Sequence, residues 1–138
     1  MIELNNIKAV VCGSTQGIGF ATAKLLAERG AEITLLARNE EKLRDCLTKL
    51  DVSNNQKHDF LVADFSQPEN LKKIIETYVD RGNKPHVLVN NTGGPKGGPI
   101  INAETSEFVN TFNQHLVCNH ILVQALYKGM TENNFGRI

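Results

Sequence analysis

Cysteine is scarce in this sequence, and its few cysteines are not arranged as a site. The chain has three of them, Cys12, Cys46 and Cys118, with no Cys-x-x-Cys pair. An odd number without such a pair argues against both a disulfide framework and a zinc centre. We therefore expect reduced thiols that pack as small apolar side chains, in a cytoplasmic protein.

Excess charge and long apolar runs are also lacking. The formal net charge is zero, so no electrostatic argument favours nucleic acid or an anionic membrane as a partner. No stretch approaches the roughly 20 apolar residues that are needed to span a bilayer. Residues 1–11 include the acidic Glu3 and lead directly into an apolar run, which is not the pattern of a signal peptide.

Internal repeats, low-complexity segments and interdomain linkers are absent from the sequence as well. The chain has 138 residues, of which 41% are hydrophobic and 22% are charged, as in an ordinary globular domain. This composition excludes a disordered or collagen-like chain. We therefore expect residues 1–138 to belong to a single domain.

Short apolar stretches alternate with helix-like stretches along the chain. Strands are predicted at Ile7–Cys12, Glu32–Ala37, Asp59–Ala63 and His86–Val89. Helices are predicted at Ile18–Arg29, Glu40–Leu50, Pro68–Val79 and Glu104–Met130, with a loop at Gly93–Pro99. Continuous apolar strands between helices indicate a parallel sheet with helices on both faces, which is a doubly wound α/β fold.

A glycine-rich turn after the first predicted strand is the strongest local signal. Residues Cys12–Gly19 read CGSTQGIG and open the first predicted helix. Gly13 permits a tight turn, Gly17 lets the backbone approach a pyrophosphate, and Gly19 lets the helix pack closely on the sheet. The helix N-terminus adds free N–H groups and a positive dipole end. No Gly-Lys-Ser/Thr follows, which argues against an NTPase; an ordinary glycine-rich turn is the alternative interpretation.

Four segments, in matching order and spacing, resemble the short-chain dehydrogenase/reductase family. They are the glycine pattern Gly13–Gly19, the pair Asp64-Phe65, the Asn-Asn-Thr-Gly of Asn90–Gly93, and the Phe-Gly-Arg-Ile of Phe135–Ile138. Two positions depart from the family pattern, since Cys12 replaces a threonine and Thr92 replaces an alanine. The resemblance implies a Rossmann-type fold, present here up to the fourth strand and the long helix that follows it.

The resemblance also implies how a dinucleotide would be held. The pyrophosphate and ribose would lie against Gly13, Ser14, Thr15, Gln16, Gly17, Ile18 and Gly19. Asp64 would accept a hydrogen bond from the adenine amino group, and Phe65 would donate its backbone N–H to the ring. Asn90 would stabilise the sheet near the adenine ribose, Asn91 would belong to the same cofactor-binding segment, and Thr92, Gly93 and Gly94 would pass close to the nicotinamide. From the residues alone, Asp64 could equally be a turn carboxylate.

The end of the second predicted strand indicates which nicotinamide cofactor is preferred. An NAD site usually has an acidic residue here, bonded to the ribose hydroxyls. This sequence instead has Ala37, Arg38 and Asn39. A guanidinium matches a 2′-phosphate, because it is planar, always charged and multidentate. We therefore expect NADP(H) to be favoured over NAD(H); a surface Arg38 paired with Glu40 or Glu41 is the alternative.

The catalytic residues that the resemblance implies are not found in these 138 residues. The family uses a Tyr-x-x-x-Lys pair for acid–base chemistry and a serine that holds the substrate. Tyr78 and Tyr127 are followed four residues later by glycine and threonine, and no serine lies beyond Ser106. His115 falls where the family has an asparagine; it could shuttle protons, but packing within the helix interface is the interpretation that we favour.

Two functional hypotheses follow for this partial NAD(P)-binding domain. The first is an NADP(H)-dependent oxidoreductase acting on a carbonyl or secondary alcohol, similar to 3-oxoacyl-acyl-carrier-protein reductase-like members, of which this chain is the cofactor-binding half. The second is a non-catalytic dinucleotide-binding or assembly module. An open edge at the fourth strand and an uncovered long helix lead us to expect a homo-oligomer.

Overall fold

Strands and helices alternate through the computed structural model, which describes residues 3–138. The four strands are β1 (Lys8–Cys12), β2 (Glu32–Ala37), β3 (Asp59–Val62) and β4 (Val87–Val89). The first three helices, each between two strands, are α1 (Gly17–Glu28), α2 (Glu40–Leu47) and α3 (Pro68–Asp80). After β4 come a short 3₁₀ turn (Ile100–Asn102), α4 (Thr105–Phe112), a π-helical segment (Asn113–Val117) and α5 (Cys118–Glu132).

The strands form one parallel sheet in the order β3-β2-β1-β4. Residue Ala9 of β1 is in register with Ile33 of β2 on one side and with Val87 of β4 on the other. The chain thus winds outward from β1 to β3 and then crosses back to β4. The predicted doubly wound α/β fold is confirmed, and the order reverses between β1 and β4.

Each face of the sheet is buried under a different pair of helices. On one face, strand residues including Val10, Leu36 and Leu88 form a cluster with side chains of α3 and α5, among them Leu71, Ile75, Cys118, Leu122 and Leu126. On the other face, Ile33 and Leu35 pack with side chains of α1 and α2, among them Ala23, Ala27, Leu43 and Cys46. Burial on both faces explains why the strands read as continuous apolar runs.

The long helix is less regular than the sequence predicts. The pattern predicted one helix over Glu104–Met130, whereas a π-helical segment separates α4 from α5. A π turn widens the helix by one residue per turn, so it changes which side chains face the sheet, and such segments are frequent at functional sites. A capping box between Glu104 and Glu107 begins α4 and thereby fixes where the helix starts.

The last residues of the chain lie beside β4. The Leu88 N–H donates to the Arg137 carbonyl at 2.9 Å, and the Arg137 N–H donates to the His86 carbonyl at 3.0 Å, in a parallel arrangement. The start of a further parallel strand, which the resemblance implies at residues 135–138, is therefore found at this edge. No helix among residues 3–138 has the length and hydropathy that crossing a membrane requires.

The three cysteines are free and buried. Burial raises the pKa of Cys12 to about 12 and that of Cys118 to about 11, so both thiols stay protonated at neutral pH. Both belong to the cluster under α3 and α5, where they pack with Leu36 and Leu88. They therefore act as small apolar side chains, as the sequence predicts.

His58 connects the segment after α2 to strand β2. Its Nδ1 accepts the backbone N–H of Ile33 at 3.0 Å, and its Nε2 lies 2.8 Å from the Asp51 carbonyl oxygen. Because Nδ1 acts as an acceptor, the neutral ring carries its proton on Nε2 and donates it to Asp51. One side chain thus satisfies two backbone groups of different segments.

We expect His58→Ala to lower the free energy of unfolding by about 1–3 kcal/mol, because the Ile33 N–H loses its acceptor in a part-buried place. Urea unfolding followed by circular dichroism measures this change. His120→Ala is the matched control, because His120 is exposed on α5. Equal stabilities for the two variants would show that the His58 bridge contributes nothing.

Candidate functional site

A cleft of about 600 Å³ lies at the carboxyl ends of the four strands. In doubly wound sheets, ligands bind where the strand order reverses, and here that point lies between β1 and β4. The residues that line the cleft come from the glycine loop, the β2–α2 and β3–α3 connections, the segment after β4, and the π-helical segment. They are Gly13, Thr15, Gln16, Gly17, Leu36, Ala37, Arg38, Asn39, Lys42, Ala63, Asp64, Phe65, Ser66, Asn91, Thr92, Gly93, Gly94 and Gln114.

The glycine loop combines a tight turn, an open backbone and a close packing contact. Gly13 and Gly17 have φ values of +57° and +55°, in the left-handed region that favours glycine. No heavy atom lies within 4 Å of where a Cβ on Gly17 would be, so its backbone faces open space. A Cβ on Gly19 would instead collide with the carbonyl oxygen of Gly13 and with the Asn91 side chain.

The N-terminus of α1 has unsatisfied donors beside this loop. Its N-cap residue, Gln16, has an extended backbone and no capping side-chain hydrogen bond, and the first turn contains no acidic residue. The first N–H groups of any helix lack partners within the helix, and the dipole adds partial positive charge. Such a terminus, next to an open glycine backbone, is suited to bind an anion.

Two side chains fix the loop to the sheet. Ser14 is fully buried, and its Oγ accepts the Leu36 N–H at 3.0 Å. The Asn91 Nδ2 lies 3.3 Å from the carbonyl oxygens of both Cys12 and Gly13. The loop is thus tied to β2 on one side and to the end of β4 on the other, which makes it a rigid wall of the cleft.

The β2–α2 connection brings positive charge to the cleft. The Asn39 Oδ1 accepts the Lys42 N–H at 2.9 Å and so caps α2. Glu40 pairs with Arg44 at 2.6 Å and not with Arg38. Among residues 3–138, neither Arg38 nor Lys42 is within ion-pairing distance of a carboxylate. Both side chains are exposed and line the cleft, so their charges remain available to a ligand.

The β3–α3 connection forms the opposite wall. The Asp64 Oδ1 accepts the Ser66 N–H at 2.8 Å, so this carboxylate does stabilise a turn. A carboxylate has two oxygens, each with room for more than one bond, and Asp64 also lines the cleft. Phe65 is buried, and its carbonyl oxygen accepts the Cys118 thiol proton at 3.3 Å, which fixes the turn against α5.

The third part of the cleft lies between the end of β4 and the π-helical segment. Asn91, Thr92, Gly93 and Gly94 line it from one side, and Gln114 lines it from the other. Three polar atoms on the segments that follow β4 and the start of α5 are buried without a hydrogen-bond partner among the described residues, namely Asn90 Oδ1, His115 Nε2 and Asn119 Oδ1. His115 is therefore half-buried behind the cleft surface, while its neighbour Gln114 is on that surface.

Most residues that the sequence places at a cofactor site come together in this one cleft. The exceptions are Ser14, Ile18, Gly19 and Asn90. Ser14 and Gly19 support the loop from behind, and Ile18 is 78% exposed beside it. Sequence reasoning gave no role to Lys42, Ser66 or Gln114. For Lys42 the sequence did contain a signal, because it lies three residues after Asn39, a residue type that often begins a helix.

We expect Gly19→Ala to destabilise the fold by about 1–3 kcal/mol, because the added methyl group collides with backbone that cannot move aside. Urea unfolding measures this change, and a loss of dinucleotide binding should accompany it. Gly97→Ala is the control, since its Cβ would meet nothing within 4 Å. If Gly19→Ala were as stable as the control, the close contact with Gly13 would not constrain the loop.

A sequence model of the short chain dehydrogenase family matches residues 8–138. A tropinone reductase homolog of Arabidopsis thaliana is 32% identical over 138 residues, which are 99% of this chain and 42% of that protein. Hydroxysteroid dehydrogenase-like protein 1 of Gallus gallus is 36% identical over 133 residues, which are 94% of this chain and 40% of that protein. The chain thus spans less than half the length of these relatives.

A solved structure extends the likeness to three dimensions. The crystal structure of L-sorbose reductase from Gluconobacter frateurii, complexed with NADPH and L-sorbose, superimposes with a TM-score of 0.88 at 25% identity. The match covers 98% of this chain and 51% of the reductase. The sheet order and helix positions are therefore those of about half of such an enzyme.

Proposed function

The chain belongs to the short chain dehydrogenase family, and we propose that the whole protein is an NADP(H)-dependent oxidoreductase that interconverts a carbonyl compound and a secondary alcohol. The observation that carries this proposal is the composition of the cleft. An open glycine backbone, a free helix N-terminus and two cations without carboxylate partners among residues 3–138 line one surface at the reversal point of the sheet. These groups match the phosphates of a dinucleotide.

The pyrophosphate would be held by backbone groups. The N–H groups at the start of α1 and the open backbone at Gly17 would donate to its oxygens, as at other glycine-rich helix termini. Gly13, Thr15 and Gln16 complete this part of the cleft. Ser14 would act from behind the surface, through its bond to the Leu36 N–H.

The adenosine end would lie between the β2–α2 and β3–α3 connections. We assign the 2′-phosphate to Arg38 and Asn39, because the end of β2 has no carboxylate to bond the ribose hydroxyls of NAD. Asp64 and Phe65 would meet the adenine ring from the opposite wall, where both line the cleft. The likeness to an enzyme solved with NADPH supports the same preference.

The nicotinamide end would lie along Asn91, Thr92 and Gly93, facing Gln114. When bound there, the nicotinamide would supply the hydride that reduces a carbonyl carbon. Asn91 would keep the loop closed beneath it through its bonds to the carbonyls of Cys12 and Gly13. Asn90 would act from behind, within the sheet. A 3-oxoacyl compound is the substrate type that we would test first.

A non-catalytic assembly module is the second candidate, and one surface favours it. Phe108, Phe112 and Leu116 recur every four residues along α4 and the π-helical segment, and they are 55%, 56% and 57% exposed. An apolar stripe of this kind marks an interaction surface. We therefore propose that the protein forms a homo-oligomer through this face.

The three cysteines bear on where the protein acts. Their thiols are free and buried, which fits a reducing compartment, and we propose the cytoplasm.

We expect the 138-residue chain alone to reduce no carbonyl substrate, because it contains neither a Tyr-x-x-x-Lys pair nor a serine beyond Ser106. NADPH consumption at 340 nm with a panel of ketones, including 3-oxoacyl thioesters, measures this. Measurable turnover that survives repurification of the chain would contradict the expectation. It would require a proton donor among the residues present here, with His115 the first to examine.

We expect Arg38→Asp to weaken NADPH binding by about tenfold or more while changing NADH binding much less, because only NADPH has a 2′-phosphate. Calorimetric titration of the purified chain with each dinucleotide measures both affinities. Arg81→Asp makes the same charge change on an exposed residue just after α3 and is the control. An equal loss for both dinucleotides would contradict the assignment of Arg38 to the 2′-phosphate.

A further inference from the structure

Lys42 is a second free cation in the cleft, one turn along the chain from Arg38. It lines the same wall as Arg38 and Asn39, at the end of the cleft where β2 passes into α2. We propose that Lys42 and Arg38 together grip the 2′-phosphate of NADPH, which makes Lys42 a specificity-determining residue. This inference rests on the proposed function, because it concerns the adenosine end of the same site.

The backbone of Lys42 is held in place from two sides. Its N–H donates to the Asn39 Oδ1 at 2.9 Å, and the N–H of the next residue, Leu43, donates to the Asn39 carbonyl at 3.0 Å. The Leu43 side chain is fully buried against β2 and α1. The first turn of α2 is therefore fixed to the core, and Lys42 extends from a rigid base.

The direction of the side chain follows from helix geometry. Side chains in an α-helix lean toward the N-terminus of the helix, over the preceding turn. For Lys42 the preceding turn is the Arg38–Asn39 connection, and Lys42 lines the cleft together with both of these residues. The neighbouring Glu41 is one residue away, about 100° round the helix, so it does not share this face.

Two of the three carboxylates of α2 are already paired, and the third, Glu41, is exposed and forms no ion pair among residues 3–138. Glu40 binds Arg44 at 2.6 Å, and Asp45 binds Lys49 at 2.6 Å, both in i,i+4 pairs. Because Glu40 and Asp45 are engaged in these pairs, they do not form ion pairs with Arg38 or Lys42. On the far wall, Asp64 has one oxygen engaged by the Ser66 N–H. The rim near α2 is thus the positive end of the cleft.

The two cations would act in different ways. A guanidinium offers a planar fork that bonds phosphate oxygens in pairs, whereas an ammonium acts as a point charge on a flexible stem. We therefore expect Arg38 to contribute more than Lys42. Because Lys42 is exposed, solvent screening limits its contribution. Its loss should weaken binding of a 2′-phosphate about three- to tenfold and leave a ligand without that group unchanged.

Adenosine 2′,5′-bisphosphate and 5′-AMP, which differ only in the 2′-phosphate, are the probes for this test. Calorimetric titration of the wild-type chain, Lys42→Met, Lys42→Arg and Lys72→Met measures each affinity at low and moderate salt. Methionine keeps much of the lysine stem without its charge, and Lys72 is an exposed residue on α3 that does not line the cleft. Circular dichroism establishes that the variants remain folded.

The proposal predicts weaker binding of the bisphosphate by Lys42→Met, unchanged binding of 5′-AMP, recovery in Lys42→Arg, and no effect of Lys72→Met. Equal effects on both probes, or none on either, would overturn the role of Lys42 while leaving the oxidoreductase proposal intact. If the wild-type chain binds neither NADPH nor the bisphosphate, both the proposed function and the role of Lys42 fail. Loss of bisphosphate binding in Arg38→Asp alone would assign the 2′-phosphate to Arg38 without Lys42.

Discussion

The close approach of α1 to the glycine loop is the contact on which the site depends. The Cα of Gly19 lies so near the Gly13 carbonyl oxygen and the Asn91 side chain that no Cβ fits between them. Because the helix can come this close, its N-terminus opens into the cleft instead of being covered by side chains. The same approach ties β1 to the end of β4, so the loop, the helix start and the reversal point of the sheet form one rigid unit.

The charge pattern of the cleft follows from local helix chemistry more than from long-range packing. The i,i+4 pairs on α2 neutralise Glu40 and Asp45 within the helix itself. Asn39 caps the first turn of α2 without adding a negative charge, because its neutral amide oxygen accepts the Lys42 N–H. Of the residues at this rim that line the cleft, Arg38 and Lys42 are the charged ones, and both are positive. The selectivity that we propose for an extra phosphate thus rests on a few residues at one helix start.

The four strands, the first three helices and most of the cleft could be predicted, because apolar runs and glycine spacing report burial and backbone freedom directly. Three features could not be predicted. The π-helical segment was one of them, because the four-residue repeat of Phe108, Phe112 and Leu116 fits an ordinary α-helix. Ser14 looked like a phosphate ligand, but its hydroxyl is used inside the protein. In the sequence, Lys42 resembles any exposed helix lysine. Only the structure shows that it lines the cleft and that Glu40 and Asp45 are paired with other residues.

The end of the cleft beside β2 and β3 is built from well-packed elements. Its walls come from β1, β2, β3 and the starts of α1 and α2, all packed within the described fold. The end between β4 and the π-helical segment is different, because two side-chain atoms on the segments that form it, Asn90 Oδ1 and His115 Nε2, are buried without a hydrogen-bond partner among residues 3–138. A buried polar atom without a partner costs about 1–3 kcal/mol, so the two ends of the cleft differ in how fully their polar groups are satisfied. The roles that we propose for Arg38 and Lys42 belong to the end whose walls are packed and whose α2 cap is satisfied.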